Sequence, residues 1–160
     1  MALEFSPEKK KEVEWVISRY PRKEAAMLPV LHIAQYQFGY ISDEVMELVA
    51  KTLEVPISRV QDVVTFYTMY RAQPVGKRHI QICHTLSCAL RGGGQVVKHL
   101  EERCGVKCGE GVSEDGKFSI VKVECLGSCG TAPMVQVNDD YYENLTKAKV
   151  DELITQWKNE

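Results

Sequence analysis

Four cysteines dominate the chemistry available to this chain. Cys83 and Cys88 stand in CHTLSC, a C-x4-C pair that runs into the glycines at 92 to 94. Cys125 and Cys129 stand in CLGSC, a C-x3-C pair. Four thiolates suit a zinc ion or an iron–sulfur cluster above all other occupants. Zinc asks for a small tetrahedron about one ion, and its knuckles most often use C-x2-C. A [2Fe-2S] rhomb needs two sulfurs on each of two irons, and wide C-x4-C gaps recur in ferredoxins. The spacing favours the cluster, with a structural zinc-binding module as the competing reading. Gly127, Gly130 and the glycine run can bring backbone N–H groups close to sulfur, and Thr85, Ser87 and Ser128 can donate to it. Cys88 is expected near a helix start, where the helix dipole favours a thiolate.

The remaining candidates are weaker. His84 lies between the first two cysteines. A Rieske centre needs two histidine ligands, and none lies near Cys125 or Cys129, so His84 is read as an exposed loop residue able to tune a nearby cluster. Cys104 and Cys108, in RCGVKCGE, can pair as a disulfide, contribute to a second metal site, or do neither. No C-x-x-C occurs, which argues against thiol–disulfide exchange. GGGQVV lacks the G-x-G-x-x-G register and no P-loop is present, so no nucleotide or NADH site is expected on this chain.

These residues need a scaffold, and the totals bound it. The chain has 160 residues, a net charge of −2 and six cysteines. That length allows one domain or two small ones. Before Gly76 there are 9 basic and 10 acidic side chains, and from Gly76 onward 11 and 12. Neither half carries a nucleic-acid footprint. The longest apolar run, AAMLPVLHIA, is about half a membrane span, and MALEFSPEKKK has no signal-peptide core. A soluble, intracellular protein without direct membrane contact is expected, and reduced thiols there point to metal or redox chemistry rather than a disulfide framework.

The first 75 residues carry helical periodicity. Ser6-Pro7 is an N-cap followed by a helix-compatible proline, with Val13, Val16, Ile17 and Tyr20 on one face. Ala25, Leu28, Val30 to Ile33 and Phe38 suggest a second helix, with Pro29 early in it and Gly39 as the stop. Ser42 caps a third, with Val45, Met46, Val49 and Leu53 inward. A fourth is expected through ISRVQDVVTFYTMY, with Ile57, Val60, Val63, Val64 and Tyr67 as its stripe. These stripes read as core, while Phe66, Tyr67 and Tyr70 are candidates for contact with a partner.

AQPVGK, at 72 to 77, reads as a linker between a helical domain at 1–75 and a second domain at 76–160. A strand through His79 to Ile82 runs into Cys83, and one helix is expected from Leu86 to Arg103, with its glycines marking a close approach to the backbone. FSIVKVEC reads as a strand ending at Cys125, MVQVN and DYYEN as a hairpin about Asn138-Asp139, and Thr146 to Trp157 as a closing amphipathic helix. The class is α+β, with a mixed sheet covered by helices.

Four stretches together carry a family resemblance: AQYQFGYIS, VVTFYTMY, IQICHTLSCALRGG and VECLGSCGTAPMVQVND. With them, nearly the whole chain resembles the small [2Fe-2S] subunit of NADH:quinone oxidoreductase, respiratory complex I, in its bacterial form. The resemblance implies an N-terminal helical bundle followed by a thioredoxin-like α/β domain. It implies one [2Fe-2S] cluster on Cys83, Cys88, Cys125 and Cys129, and a cis bond between Ala132 and Pro133. It also implies a larger flavoprotein partner carrying FMN, the NADH site and a [4Fe-4S] cluster, with which single electrons are exchanged. The helical domain is expected to supply much of the docking surface, and the assembly to lie in the peripheral arm of a membrane-bound complex, on its cytoplasmic side. Such a subunit belongs to an oxidoreductase without being catalytic alone. The small subunits of soluble NAD-linked hydrogenases and formate dehydrogenases share the same ligand loops and form the nearest alternative. A freestanding thioredoxin-like ferredoxin would lack the helical domain.

Overall fold

A computed structural model describes residues 3–160. The chain divides into two compact units at the Pro74–Val75 bond.

The first unit is helical, and its helices begin where short polar side chains can cap them. Ser6 Oγ accepts from the Lys9 N–H at 3.2 Å and starts α1 (Pro7–Ser18). A 3-10 turn over Lys23–Ala26 leads into α2 (Met27–Phe38), whose Pro29 sits in the first turn, where its missing N–H breaks no ladder bond. Gly39, at φ +85°, ends α2. Ser42 Oγ accepts from the Val45 N–H and starts α3 (Asp43–Leu53), which is followed by α4 (Ile57–Phe66). Val13, Val30, Leu31, Ile41, Val45, Val49, Leu53, Val60 and Val64 form the core between these helices.

The fourth helix stops short of its periodicity. The expected helix reached Tyr70, but α4 ends at Phe66 and Tyr67 is extended (φ −94°, ψ 115°). The cause is tertiary. Tyr70 turns inward and donates its phenol hydrogen to the Leu28 carbonyl at 2.9 Å. Arg71 gives its N–H to Gln35 Oε1 and accepts from the Ile41 N–H, each at 2.7 Å. Satisfying three polar groups against α2 and the α2–α3 loop outweighs another turn of helix. The stripe is trimmed accordingly: Val60 and Val64 are buried, while Ile57 and Tyr67 are exposed.

The second unit is a mixed sheet among the described residues, with strand order β2-β1-β3-β4. The strands are β1 (Arg78–Cys83), β2 (Phe118–Val123), β3 (Val135–Val137) and β4 (Asp140–Tyr142). Strand β1 pairs in parallel with β2, Cys83 facing Val123, and antiparallel with β3. Asn138, at φ +53°, turns the β3–β4 hairpin. Parallel neighbours need a crossover, here α5 (Leu86–Leu90) and α6 (Gly93–Cys104). Helix α7 (Lys147–Asn159) closes the chain, with Thr146 as its cap. Val96, Val97 and Leu100 of α6 and Val150, Ile154 and Trp157 of α7 cover the sheet residues Ile80, Ile82, Phe118 and Ile120.

Two boundaries differ from expectation. Strand β2 ends at Val123, so Cys125 lies in the loop beyond it. The single helix expected from Leu86 to Arg103 is two, broken at Gly92 (φ +89°). The backbone passes close at Gly93, where an added Cβ would stand 2.8 Å from the Cys88 carbonyl oxygen. Among the described residues no helix is long and apolar enough to cross a membrane.

Gly76 sits against β2. A Cβ there would lie 2.5 Å from the Phe118 carbonyl carbon, while its N–H donates to Ser119 Oγ at 3.0 Å. Gly76→Ala must push β1 and β2 apart at their start. It should destabilise the unit by about 1–3 kcal/mol and lower the thermal midpoint by roughly 5 °C or more, which circular dichroism would read. An unchanged midpoint would show that the strand ends yield freely.

Candidate metal centre

The four cysteines arrive from two places that the parallel pairing makes neighbours. Cys83 is the last residue of β1 and Cys88 lies in α5, both buried. Cys125 follows β2 and Cys129 opens a 3-10 turn (Cys129–Thr131), both exposed. Cys88 is therefore carried on a short helix, of which it is the buried residue while Leu86 and Leu90 are exposed. Cys125 Sγ and Cys129 Sγ stand 3.5 Å apart, close to the separation of about 3.8 Å for two thiolates on a tetrahedral ion with roughly 2.3 Å bonds. The Cys83 and Cys88 thiols share a hydrogen bond, and charges at Cys83 and Cys129 are felt across the two pairs. Among the described residues no three His, Cys, Asp or Glu side chains converge on a single ion. The donors form two pairs, Cys83 with Cys88 and Cys125 with Cys129.

The surroundings are those of a sulfur cradle. The Thr85 hydroxyl lies 3.3 Å from Cys83 Sγ and also serves Cys125, while the Ser87 hydroxyl serves Cys129. Backbone N–H groups aim at sulfur as well: those of Leu126 and Thr85 at Cys83, Met134 at Cys88 and Gly127 at Cys125. Gly127 is at φ +86°, so a residue with a side chain would be strained there. Donors of this kind stabilise negative charge on sulfur, which a thiolate-bound cluster carries. The residues present fit a [2Fe-2S] group.

Burial and hydrogen bonds pull the thiols in different directions. Burial works against the Cys83 thiolate, but Thr85 and the two N–H donors outweigh it and bring the thiol down to about 7. Cys88 goes the other way: burial, with the Cys83 thiolate beside it, pushes it up. The thiolate preference expected for Cys88 from its helix start thus falls to Cys83, because a five-residue helix does not offset desolvation. At the exposed pair, the Gly127 N–H and the Cys129 thiol lower Cys125, and the sharing of that proton raises Cys129.

Several neighbours act otherwise than their sequence positions suggest. Ser128 turns away from sulfur and gives its hydroxyl to Glu143. His84 is exposed, as expected, and its Nδ1 meets the Val123 carbonyl at 2.7 Å. Cys104 and Cys108 are free thiols. Both are raised by burial, Cys104 to about 12, within the core against α7. Three supporting residues escaped the sequence reading. Arg91 Nε donates to the Ala132 carbonyl at 2.8 Å, the Tyr141 phenol donates to the Leu126 carbonyl at 2.9 Å, and Glu143 receives the Ser128 and Thr131 hydroxyls. Strand alternation marks Tyr141 as facing away from the Tyr142 side, but nothing local to it names Leu126. The Ala132–Pro133 bond is cis, as expected.

Helices over a mixed sheet, with paired cysteines at adjacent strand ends, define a thioredoxin-like scaffold carrying a thiolate site. The chain belongs to the thioredoxin-like [2Fe-2S] ferredoxin family, which it matches over residues 13–158. It is 46% identical over 150 residues to the E subunit of NADH-quinone oxidoreductase from Rickettsia bellii (strain RML369-C), covering 92% of this chain and 89% of the relative. To the second NADH-quinone oxidoreductase E subunit of Rhizobium meliloti (strain 1021) it is 40% identical over 149 residues, covering 93% and 88%. In fold it is similar to a chain of an H2-reduced NAD+-reducing [NiFe]-hydrogenase, with TM-score 0.72 and 16% identity. That match covers 84% of this chain and 23% of the other.

Thiol accessibility gives a direct check. At pH 8 a thiol whose pKa is about 12 is thiolate in about one molecule in ten thousand. In the folded, cluster-free chain, iodoacetamide should label Cys125 first and Cys104 last, with Cys104 gaining reactivity only as pH climbs toward 12. Peptide mass spectrometry of a timed reaction would read the order. Early labelling of Cys104 would contradict its burial.

Proposed function

We propose that this chain is the electron-transfer subunit of an NADH:quinone oxidoreductase, holding one [2Fe-2S] cluster through Cys83, Cys88, Cys125 and Cys129. The observation that carries the reading is the convergence of two thiol pairs with hydroxyl and backbone N–H donors aimed at their sulfurs. When bound, such a cluster takes up and releases a single electron, and four cysteine ligands leave it no open position for substrate. This chain's own part is to hold the sulfurs, donate hydrogen bonds to them and keep one pair buried and the other at the surface. Family membership and the names of the relatives support the reading.

The exchange partner in this proposal is the flavoprotein subunit that binds NADH, FMN and a [4Fe-4S] cluster. The complex is membrane-bound and this subunit sits in its peripheral arm on the cytoplasmic side. Residues 76–160 are the ferredoxin domain, and residues 1–75 provide the docking surface. Phe66 and Tyr67 are the anchors. They are 76% and 38% exposed and meet edge to face with ring centres 4.9 Å apart. Tyr70, also considered an anchor from the sequence, is only 6% exposed and belongs to the core. The alternative, the small subunit of an NAD-linked hydrogenase, has a likeness of fold in its favour. Identities of 46% and 45% to two subunits of the quinone-linked complex weigh for the first reading.

Anaerobic reconstitution followed by EPR before and after dithionite tests the site. A silent oxidised form, a rhombic signal on reduction and about two irons and two sulfides per chain are expected. A colourless protein that binds zinc and refuses a cluster would overturn it. For docking, Phe66→Ala should weaken association with the flavoprotein subunit about 30-fold, the effect of losing one aromatic anchor, and leave the reduced EPR signal unchanged. Equal affinity in calorimetry would place the interface elsewhere.

A further inference from the structure

The exposed half of the site poses a positioning problem. Cys125, Gly127, Cys129 and Gly130 are not buried, and only Leu126 of this loop packs against neighbouring apolar side chains. Ligand sulfurs must nevertheless be held to within about 0.5 Å. Packing cannot supply that hold here, so polar contacts must.

The polar contacts converge on Glu143, just beyond β4. Its Oε1 accepts a hydrogen bond from Ser128 Oγ and a second, at 2.7 Å, from Thr131 Oγ1. Thr131 Oγ1 also lies 3.1 Å from the Ser128 carbonyl and 3.2 Å from Ser128 Oγ. Its one proton goes to the carboxylate, the nearest acceptor and the charged one. Ser128 and Thr131 bracket Cys129, and the Thr131 N–H closes the turn onto the Ser128 carbonyl. The Asn144 N–H then donates to the Thr131 carbonyl at 2.7 Å, and Lys149 Nζ donates to the Glu143 carbonyl at 2.7 Å. The Cys129 turn is thus bolted to the segment between β4 and α7. The two hydroxyls hold the Glu143 carboxyl below its usual range, so it is charged at neutral pH.

We propose that Glu143 is a positioning residue for the cluster: it clamps the Ser128–Thr131 turn, and so fixes where Cys129 presents its sulfur, while keeping the Ser128 hydroxyl off that sulfur. The proposal rests on the [2Fe-2S] reading of the four cysteines. The clamp also sets a fixed negative charge beside the loop, which disfavours adding an electron to a nearby cluster.

The test compares full-length wild type with Glu143→Ala, Glu143→Gln and Thr131→Val after anaerobic reconstitution. Iron and sulfide content, the rate of cluster loss to EDTA, the reduced EPR spectrum and the midpoint potential are measured on each. Glu143→Ala should lose its cluster about 10- to 100-fold faster, the usual consequence of removing a group that orients a metal ligand, and its g-values should shift. Thr131→Val should lose it faster than wild type as well. Glu143→Gln keeps an acceptor oxygen without the charge, so it should restore retention while its potential rises, a change that a purely structural role would not produce. Unaltered loss rates and spectra in both Glu143→Ala and Thr131→Val would overturn the clamp, and Thr131→Val alone decides the matter if Glu143→Ala does not fold. A wild type that takes up no iron and sulfide would overturn the underlying reading as well, whereas a loaded wild type with indistinguishable variants overturns the clamp alone.

Discussion

The parallel pairing of β1 with β2 is the constraint on which the site depends. Parallel strands end at the same edge of a sheet, so the register that sets Cys83 opposite Val123 delivers both cysteine segments side by side. An antiparallel pairing would send them to opposite edges. The same pairing demands a crossover, and the crossover supplies α5, which carries Cys88 back under the strand end it has just left. The buried polar residues of the two strands hold that register. His79 Nδ1 meets Ser119 Oγ at 2.8 Å, and the same hydroxyl accepts from Gly76, so slippage by one residue would strand buried polar groups.

What the sequence made legible was local. Ser6 and Ser42 cap helices because a hydroxyl one residue before a helix can reach its free N–H groups. Asn138 turns the hairpin because its side chain tolerates positive φ. Cysteine spacing marked the two segments, at 83–88 and 125–129, that the fold sets at neighbouring strand ends. The illegible parts were set by partners distant in the chain. Helix α4 stops at Phe66 because Tyr70 finds the Leu28 carbonyl, which no window around Tyr70 contains. Ser128 was expected to serve sulfur, yet a carboxylate 15 residues away outcompetes a thiol for its proton. Cys88 was expected to favour its thiolate from helix position alone, and burial reverses this. The break at Gly92 was half visible. The glycines announced a close approach, but not that the approaching group would be the chain's own Cys88 carbonyl.

The two thiol pairs are held by different physics. Cys83 and Cys88 sit with Ala132 and Met134 in a small apolar cluster, where packing fixes them. Cys125 and Cys129 stand at the surface, where hydroxyls, a phenol and backbone amides perform that task. A site with one packed half and one hydrogen-bonded half can present its outer sulfurs to another molecule without exposing its inner ones.

The burial of Cys104 has a further consequence, for the lifetime of the newly made chain. Sulfur is oxidised through its thiolate and in proportion to its exposure. Cys104 offers neither, so it is safe in any state in which α6 and α7 are packed. Cys125 offers both. Oxidative damage to the folded, cluster-free chain therefore falls first on Cys125, one of the four proposed ligands, and spares Cys104, which is not one of them.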